Sequence, residues 1–127
     1  MELVKNQYIY WEDIRLLRNL DGVREGFIKQ NLISKEDHET YMKKNSDFFW
    51  ICLDKGRFIG YTGVIENDIR IAVNPVHHGK GVGKFMINEI MKNNPHAFAK
   101  VKLENNASLR LFESCGFKRK YYIMERN

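Results

Sequence analysis

Gly79, Gly81 and Gly83 stand at alternate positions with Lys80 and Lys84 among them, behind a turn containing Pro75 and at the head of an apolar helical stripe. That combination binds anions. Glycine lets the backbone come close to a ligand, and the first N–H groups of a helix have no acceptor inside it. The helix dipole favours negative charge at the same end. The predicted chemistry is capture of a phosphate or pyrophosphate by Gly79, Lys80, Gly81, Val82, Gly83 and Lys84. His77 and His78, in the preceding turn, are ligand contacts or surface residues. Neither common nucleotide motif fits. A dinucleotide fingerprint needs Gly-x-Gly-x-x-Gly, and the spacing here is Gly79-x-Gly81-x-Gly83. A phosphate loop needs Ser or Thr after Gly-Lys, and Gly83-Lys84 is followed by Phe85, with His78 where the first glycine should stand.

A strand, a turn and a helix must hold these residues. Asp68 to Val73 alternates as a half-buried strand does. Val82, Phe85, Met86, Ile90 and Met91 recur at near-helical spacing until Asn93-Asn94-Pro95 stops them. Upstream, the pattern predicts strands over 48–53 and 58–65, joined at Asp54-Lys55-Gly56, and a tight connection at Glu66-Asn67-Asp68. The β-prone run Tyr8-Ile9-Tyr10-Trp11 is expected to open the sheet. Helices are expected over 12–20, over 23–29, and from the Ser34 cap to about Lys44. Downstream, 97–103 reads as a strand parallel to the one at 68–73, because a helical crossover precedes it. Asn105-Asn106-Ala107-Ser108 opens a helix that ends at Gly116, and 117–124 reads as a last strand. The order predicts one α+β domain over 1–127 with a mixed sheet.

The stretch His78-Gly79-Lys80-Gly81-Val82-Gly83 resembles the pyrophosphate arm of the GNAT superfamily of N-acetyltransferases, whose signature is Gln or Arg, two residues, Gly, one residue, then Gly or Ala. His78 replaces the usual Gln or Arg. A second stretch, Asn105-x-x-Ser108-Leu109-x-Leu111-Phe112-Glu113-x-x-Gly116-Phe117, is similar to the family's other motif, and the two occur in the family's order. The resemblance implies a central, mostly antiparallel sheet flanked by helices, with its fourth and fifth strands splayed. It also implies acetyl-CoA as co-substrate, no metal, and direct attack by a primary amine of a small molecule, amino sugar or peptide. Backbone groups of Ile71, Ala72 and Val73 would face the acyl-pantetheine arm. Asn105, Ser108 and Phe112 would join the cofactor site, with Asn105 as pantetheine contact or plain helix cap.

Direct attack needs an unprotonated amine, an oxyanion donor and a proton for the leaving thiolate. The family often takes that proton from a tyrosine in the second motif, where this chain has Phe112. Tyr121 and Tyr122 are alternatives that the sequence does not place. The fourth-strand glutamate used as a base by some members falls on Asn67. A one-residue bulge would bring Glu66 or Asp68 into its place. Arg18, Arg24 and His38, in the N-terminal helices that the family uses for its acceptor, are candidates for an anionic acceptor.

Composition bounds the rest. The 127 residues suit one core. The net charge of +5 suits a polyanionic ligand without requiring one. No apolar run is long enough to span a membrane and no leader pattern opens the chain. Cys52 and Cys115 form no metal-ligand pattern and are expected as free thiols in the cytoplasm. A CoA-binding sensor or assembly module of the same fold is the alternative to a working enzyme. The Lys118-Arg119-Lys120 run is the sole nucleic-acid feature and reads as a solvated face. Either a monomer or a homodimer is compatible with the short tail.

Overall fold

A computed structural model describes residues 1–127. Eight regular elements follow in order, β1 (Glu2–Lys5), α1 (Trp11–Asn19), α2 (Lys35–Asn45), β2 (Phe49–Asp54), β3 (Arg57–Ile65), β4 (Asp68–Val73), α3 (Val82–Met91) and α4 (Asn106–Ser114). The strands form one antiparallel sheet in the order β1-β2-β3-β4. Two-residue turns join β2 to β3 and β3 to β4. Lys55 and Gly56 have φ of 51° and 78°, and Glu66 and Asn67 have 51° and 66°, the left-handed pairs that suit the twist of a hairpin.

Alternation along the strands sends side chains to two cores. On one face Phe49, Ile51, Tyr61 and Ala72 meet Ile14 and Leu17 of α1 and Met42 of α2. On the other, Cys52, Ile59 and Ile69 meet Val82, Met86, Ile87 and Ile90 of α3 and Phe112 of α4. The fold is α+β, an antiparallel sheet with helices on both faces. Ser34 caps α2 as its sequence predicts, accepting the Asp37 N–H at 3.1 Å. Gly116 follows α4 with φ of 90°. No helix is long and apolar enough to cross a membrane.

Four expectations are corrected. The run at 8–11 does not open the sheet. Tyr8–Tyr10 is a 3-10 turn and Trp11 begins α1, where Glu12 and Asp13 suit the positive helix end, so the opening strand is Glu2–Lys5. Between 23 and 29 only one 3-10 turn forms, Arg24–Gly26, after which Phe27 extends and packs against the α1 side of the core. The strand expected over 97–103 is reduced to a single parallel bridge, Asp68 with Phe98. Residues 117–124 form no strand, because the departing 99–103 segment offers no edge to pair with; Tyr121, Tyr122, Ile123 and Met124 stand exposed.

Candidate active site

The outer edge of β4 is half paired. Antiparallel geometry turns the backbone groups of alternate residues toward opposite neighbours. Asn74 donates to the Ile59 carbonyl of β3 at 2.9 Å, which turns the even-numbered residues of β4 inward. Ile69 donates outward to the Phe98 carbonyl at 2.9 Å, and Phe98 donates back to Asn67 at 2.7 Å. The chain then leaves the sheet, and residues 99–101 and 71–73 become opposite walls of a cleft of about 1060 Å³. The outward groups of Ile71 and the N–H of Val73 have no partner in the protein. Ala72, expected beside them, turns its backbone into β3 and its side chain into the core. His78 Nε2 lies 3.2 Å from the Val73 carbonyl, so its Nε2-protonated tautomer donates there.

Beyond Val73 the chain turns into the end of α3. Asn74 Oδ1 accepts the Val76 N–H at 3.1 Å and starts a 3-10 turn at Pro75–His77. Gly79 and Gly81 then adopt φ of 79° and 78°, and a Cβ on either would meet nothing within 4 Å. Backbone conformation therefore demands glycine, and the space above is open. Phe85 is the first N–H to bond inside, to the Gly81 carbonyl at 3.0 Å, which leaves Val82, Gly83 and Lys84 as free donors at the cleft. Gly83 serves a different purpose from the one expected. A Cβ there would lie 2.8 Å from Leu111 Cδ2, so this glycine lets α3 and α4 pack closely. Lys84 lines the cleft, whereas Lys80 is exposed and outside the lining.

The opposite wall comes from α4. Asn105 Oδ1 accepts the Ser108 N–H at 3.2 Å, which commits the oxygen to the helix cap and leaves Nδ2 near Gly26. Ser108 lines the cleft, half-buried. Phe112 lines it too, 6% exposed and packed edge-to-face on Phe117 with ring centres 5.1 Å apart. It has no proton to donate. On the α1/α2 side stand Arg18, His38, Tyr41, Tyr61 and Arg70. Burial lowers the His38 pKa, and Nε2 bonds the Trp11 carbonyl at 2.8 Å, so the ring is neutral at pH 7 and is not a cationic anchor. Arg24 is engaged by Asp21 at 3.1 Å and Glu25 at 3.6 Å and lies outside the lining. The β3–β4 register runs without a bulge, and Glu66 sits in the exposed turn, outside the cleft. Asp68 does line it, but Arg70 at 3.5 Å and Lys100 at 3.8 Å hold its carboxylate. No cluster of three His, Cys, Asp or Glu is placed to hold a metal ion.

The acetyltransferase (GNAT) family model matches residues 9–117. This chain belongs to the GNAT family. Solved structures agree in fold. Spermidine N-acetyltransferase from Vibrio cholerae, in complex with CoA and spermine, superposes with a TM-score of 0.86 at 20% identity, covering 98% of this chain and 85% of that one. Ribosomal-protein-alanine N-acetyltransferase from Brucella melitensis gives 0.79 at 15% identity, over 93% and 85%. Salmonella typhimurium yncA, with its cofactor acetyl-CoA, gives 0.77 at 15%, over 92% and 79%. Among curated proteins, none matches.

The GNAT cleft thus unites the glycine turn, the free edge of β4 and the Asn105 helix start, and leaves Lys80, Glu66 and Arg24 outside. Sequence reasoning missed Tyr41, Tyr61 and Arg70. For Tyr61 a signal existed, a polar-tipped ring in an otherwise apolar buried strand, but which face it takes depends on register with β4.

Proposed function

We propose that this GNAT domain is an acetyl-CoA-dependent N-acetyltransferase acting on a primary amine. The observation that carries the reading is the stretch of the outer β4 edge left unpaired, Ile71 and the Val73 N–H, running directly into the unpaired first turn of α3 within one cleft. The donors suit an elongated ligand with an amide-rich arm and a diphosphate. The free N–H groups of Val82, Gly83 and Lys84, with the Lys84 ammonium, are the chain's diphosphate donors. Gly79 and Gly81 leave room for the ligand over the turn. The outward groups of Ile71 and the N–H of Val73 are strand-like partners for the arm. Acetyl-CoA, when bound, supplies an activated acetyl thioester. An outward N–H on β4 is the donor for charge developing on an acyl oxygen, and the core on both sides of the strand excludes water. The amine enters from the α1/α2 side. The two free thiols, Cys52 and Cys115, accord with a reducing cytoplasm.

Calorimetric titration with acetyl-CoA tests the cofactor half of this reading, and release of free CoA thiol with an amine panel tests the catalytic half. Absence of acetyl-CoA binding sinks both. A second reading, a CoA-binding module without turnover, draws on two observations, Phe112 in place of a proton donor and the lack of an unpaired carboxylate on β4. It expects binding without CoA release for any amine.

A further inference from the structure

The α1/α2 side of the cleft carries charges that this reaction has not yet used. Arg18 lacks a carboxylate partner. Its guanidinium lies 3.9 Å over the Phe27 ring, one nitrogen donates to the Lys29 carbonyl, and Nη1 is buried without a hydrogen bond. A guanidinium keeps its proton even when half-buried, and a cation removed from water without a counter-ion is costly. The Tyr61 hydroxyl, on a residue 3% exposed, makes no hydrogen bond within the protein and lines the same cleft. Burial pushes its pKa upward, so it stays a donor, and Arg18 and Arg70 are the cations that act on it, with the neutral Tyr41 phenol beside them. Arg70 stands two residues from Ala72, the cross-strand partner of Tyr61, and so on the same face of the sheet.

Two carboxylates, Asp37 and Asp68, line the cleft and only partly offset Arg18, Arg70 and Lys100. Asp68 is held by Arg70 and Lys100, and Asp37 sits in the first turn of α2, where the helix end favours it. Lys29 adds a further cation to the lining, and His38 is neutral. The segment between α1 and α2 spans this end. Lys102 Nζ donates across to the Glu25 carbonyl at 2.9 Å, and Gly26 abuts Asn105. These two contacts narrow the acceptor end of the cleft, which suits a small acceptor.

We infer that the acceptor is a small primary amine that also carries an anionic group, a carboxylate or a phosphate, held by Arg18, Arg70 and the Tyr61 hydroxyl. The inference rests on the N-acetyltransferase reading above. It also bears on the proton that a free carboxylate base would otherwise take, which here leaves the ammonium for solvent before attack. Guanidinium groups beside an amine disfavour its protonated form, so the cluster that anchors the acceptor's anion also keeps its amine able to attack. A polyamine would meet like charge in the same place.

The test compares β-alanine and phosphoethanolamine with their counterparts that lack the anionic group, propylamine and ethanolamine, and with spermidine. CoA release is measured for the unmodified protein, Arg18→Gln and Arg70→Gln. In parallel, the unreactive product N-acetyl-β-alanine is titrated calorimetrically into the CoA-loaded protein. The anionic amines are expected to be preferred by about tenfold to a hundredfold in kcat/KM, mainly through KM, as charge-assisted hydrogen bonds give. Each variant should remove most of that preference and weaken N-acetyl-β-alanine by a similar factor. The order of β-alanine and phosphoethanolamine identifies the anion. Equal or better turnover of the amines without an anionic group, or of spermidine, overturns the inference. So does failure of both anionic amines, or a preference that both variants retain. Arg70→Gln covers the case in which Arg18→Gln loosens the segment that Arg18 anchors. Acetyl-CoA affinity, read in the same titrations, reports on the underlying reading alone.

Discussion

Three glycines in one short stretch are held in place by two different demands. Gly79 and Gly81 are required by φ near 80°, which costs an L-residue roughly 1–2 kcal/mol, while Gly83 is required by the Leu111 side chain. Gly81→Ala should therefore stay folded, with a modestly lower melting temperature and weaker acetyl-CoA binding, because the strain falls on the turn that aims the N–H donors. Lys84→Glu should weaken acetyl-CoA by about tenfold at low salt, with the deficit shrinking as ionic strength rises; a titration at two salt concentrations checks both parts. Phe112 is the residue whose chemistry is missing. Phe112→Tyr puts a hydroxyl into a cleft wall packed against Phe117. It should raise kcat in the thiol-release assay while lowering the melting temperature, since a hydroxyl buried without a partner costs about 1–3 kcal/mol.

Between elements, the contacts that matter are α3 on α4 and α1 on α2. Gly83→Ala forces a methyl to 2.8 Å from Leu111 and should cost about 1–3 kcal/mol of stability, read by thermal denaturation. Its effect on the cofactor should follow that loosening instead of any blocked donor. His38 joins α2 to the Trp11 carbonyl of α1, and burial holds its pKa below the ordinary 6.5. The unfolded chain then binds a proton that the folded one refuses. Stability from this contact is complete above pH 6.5 and is lost as pH falls toward the folded value. The melting temperature should drop between pH 7 and pH 5, and His38→Gln should flatten that slope. The pairing of β4 with residue 98 alone shows how an element's absence creates a site, since a full fifth strand would have satisfied Ile71 and Val73 and closed the cleft.

Across the whole molecule, four strands and four helices place one cleft where the sheet edge, two helix starts and the α1–α2 segment converge. Residues 121–127 stand exposed and apart from it. Deleting them should leave both the melting temperature and acetyl-CoA affinity close to those of the full chain, and a loss of either would give the tail a structural part. The sequence by itself determined the hairpins, the capped helices and the anion-binding turn, because periodicity, cap residues and glycine spacing act within a few positions. Family membership was legible in the same way, from two ordered motifs. Tertiary structure alone decided that 97–103 peels away after one bridge, that Glu66 stays in a turn, and that Lys80 and Arg24 miss the cleft. It also decided that Arg18, Tyr61 and Arg70, 43 and 9 positions apart along the chain, share one wall. Those outcomes depend on strand register and helix packing between distant segments, which no local spacing encodes.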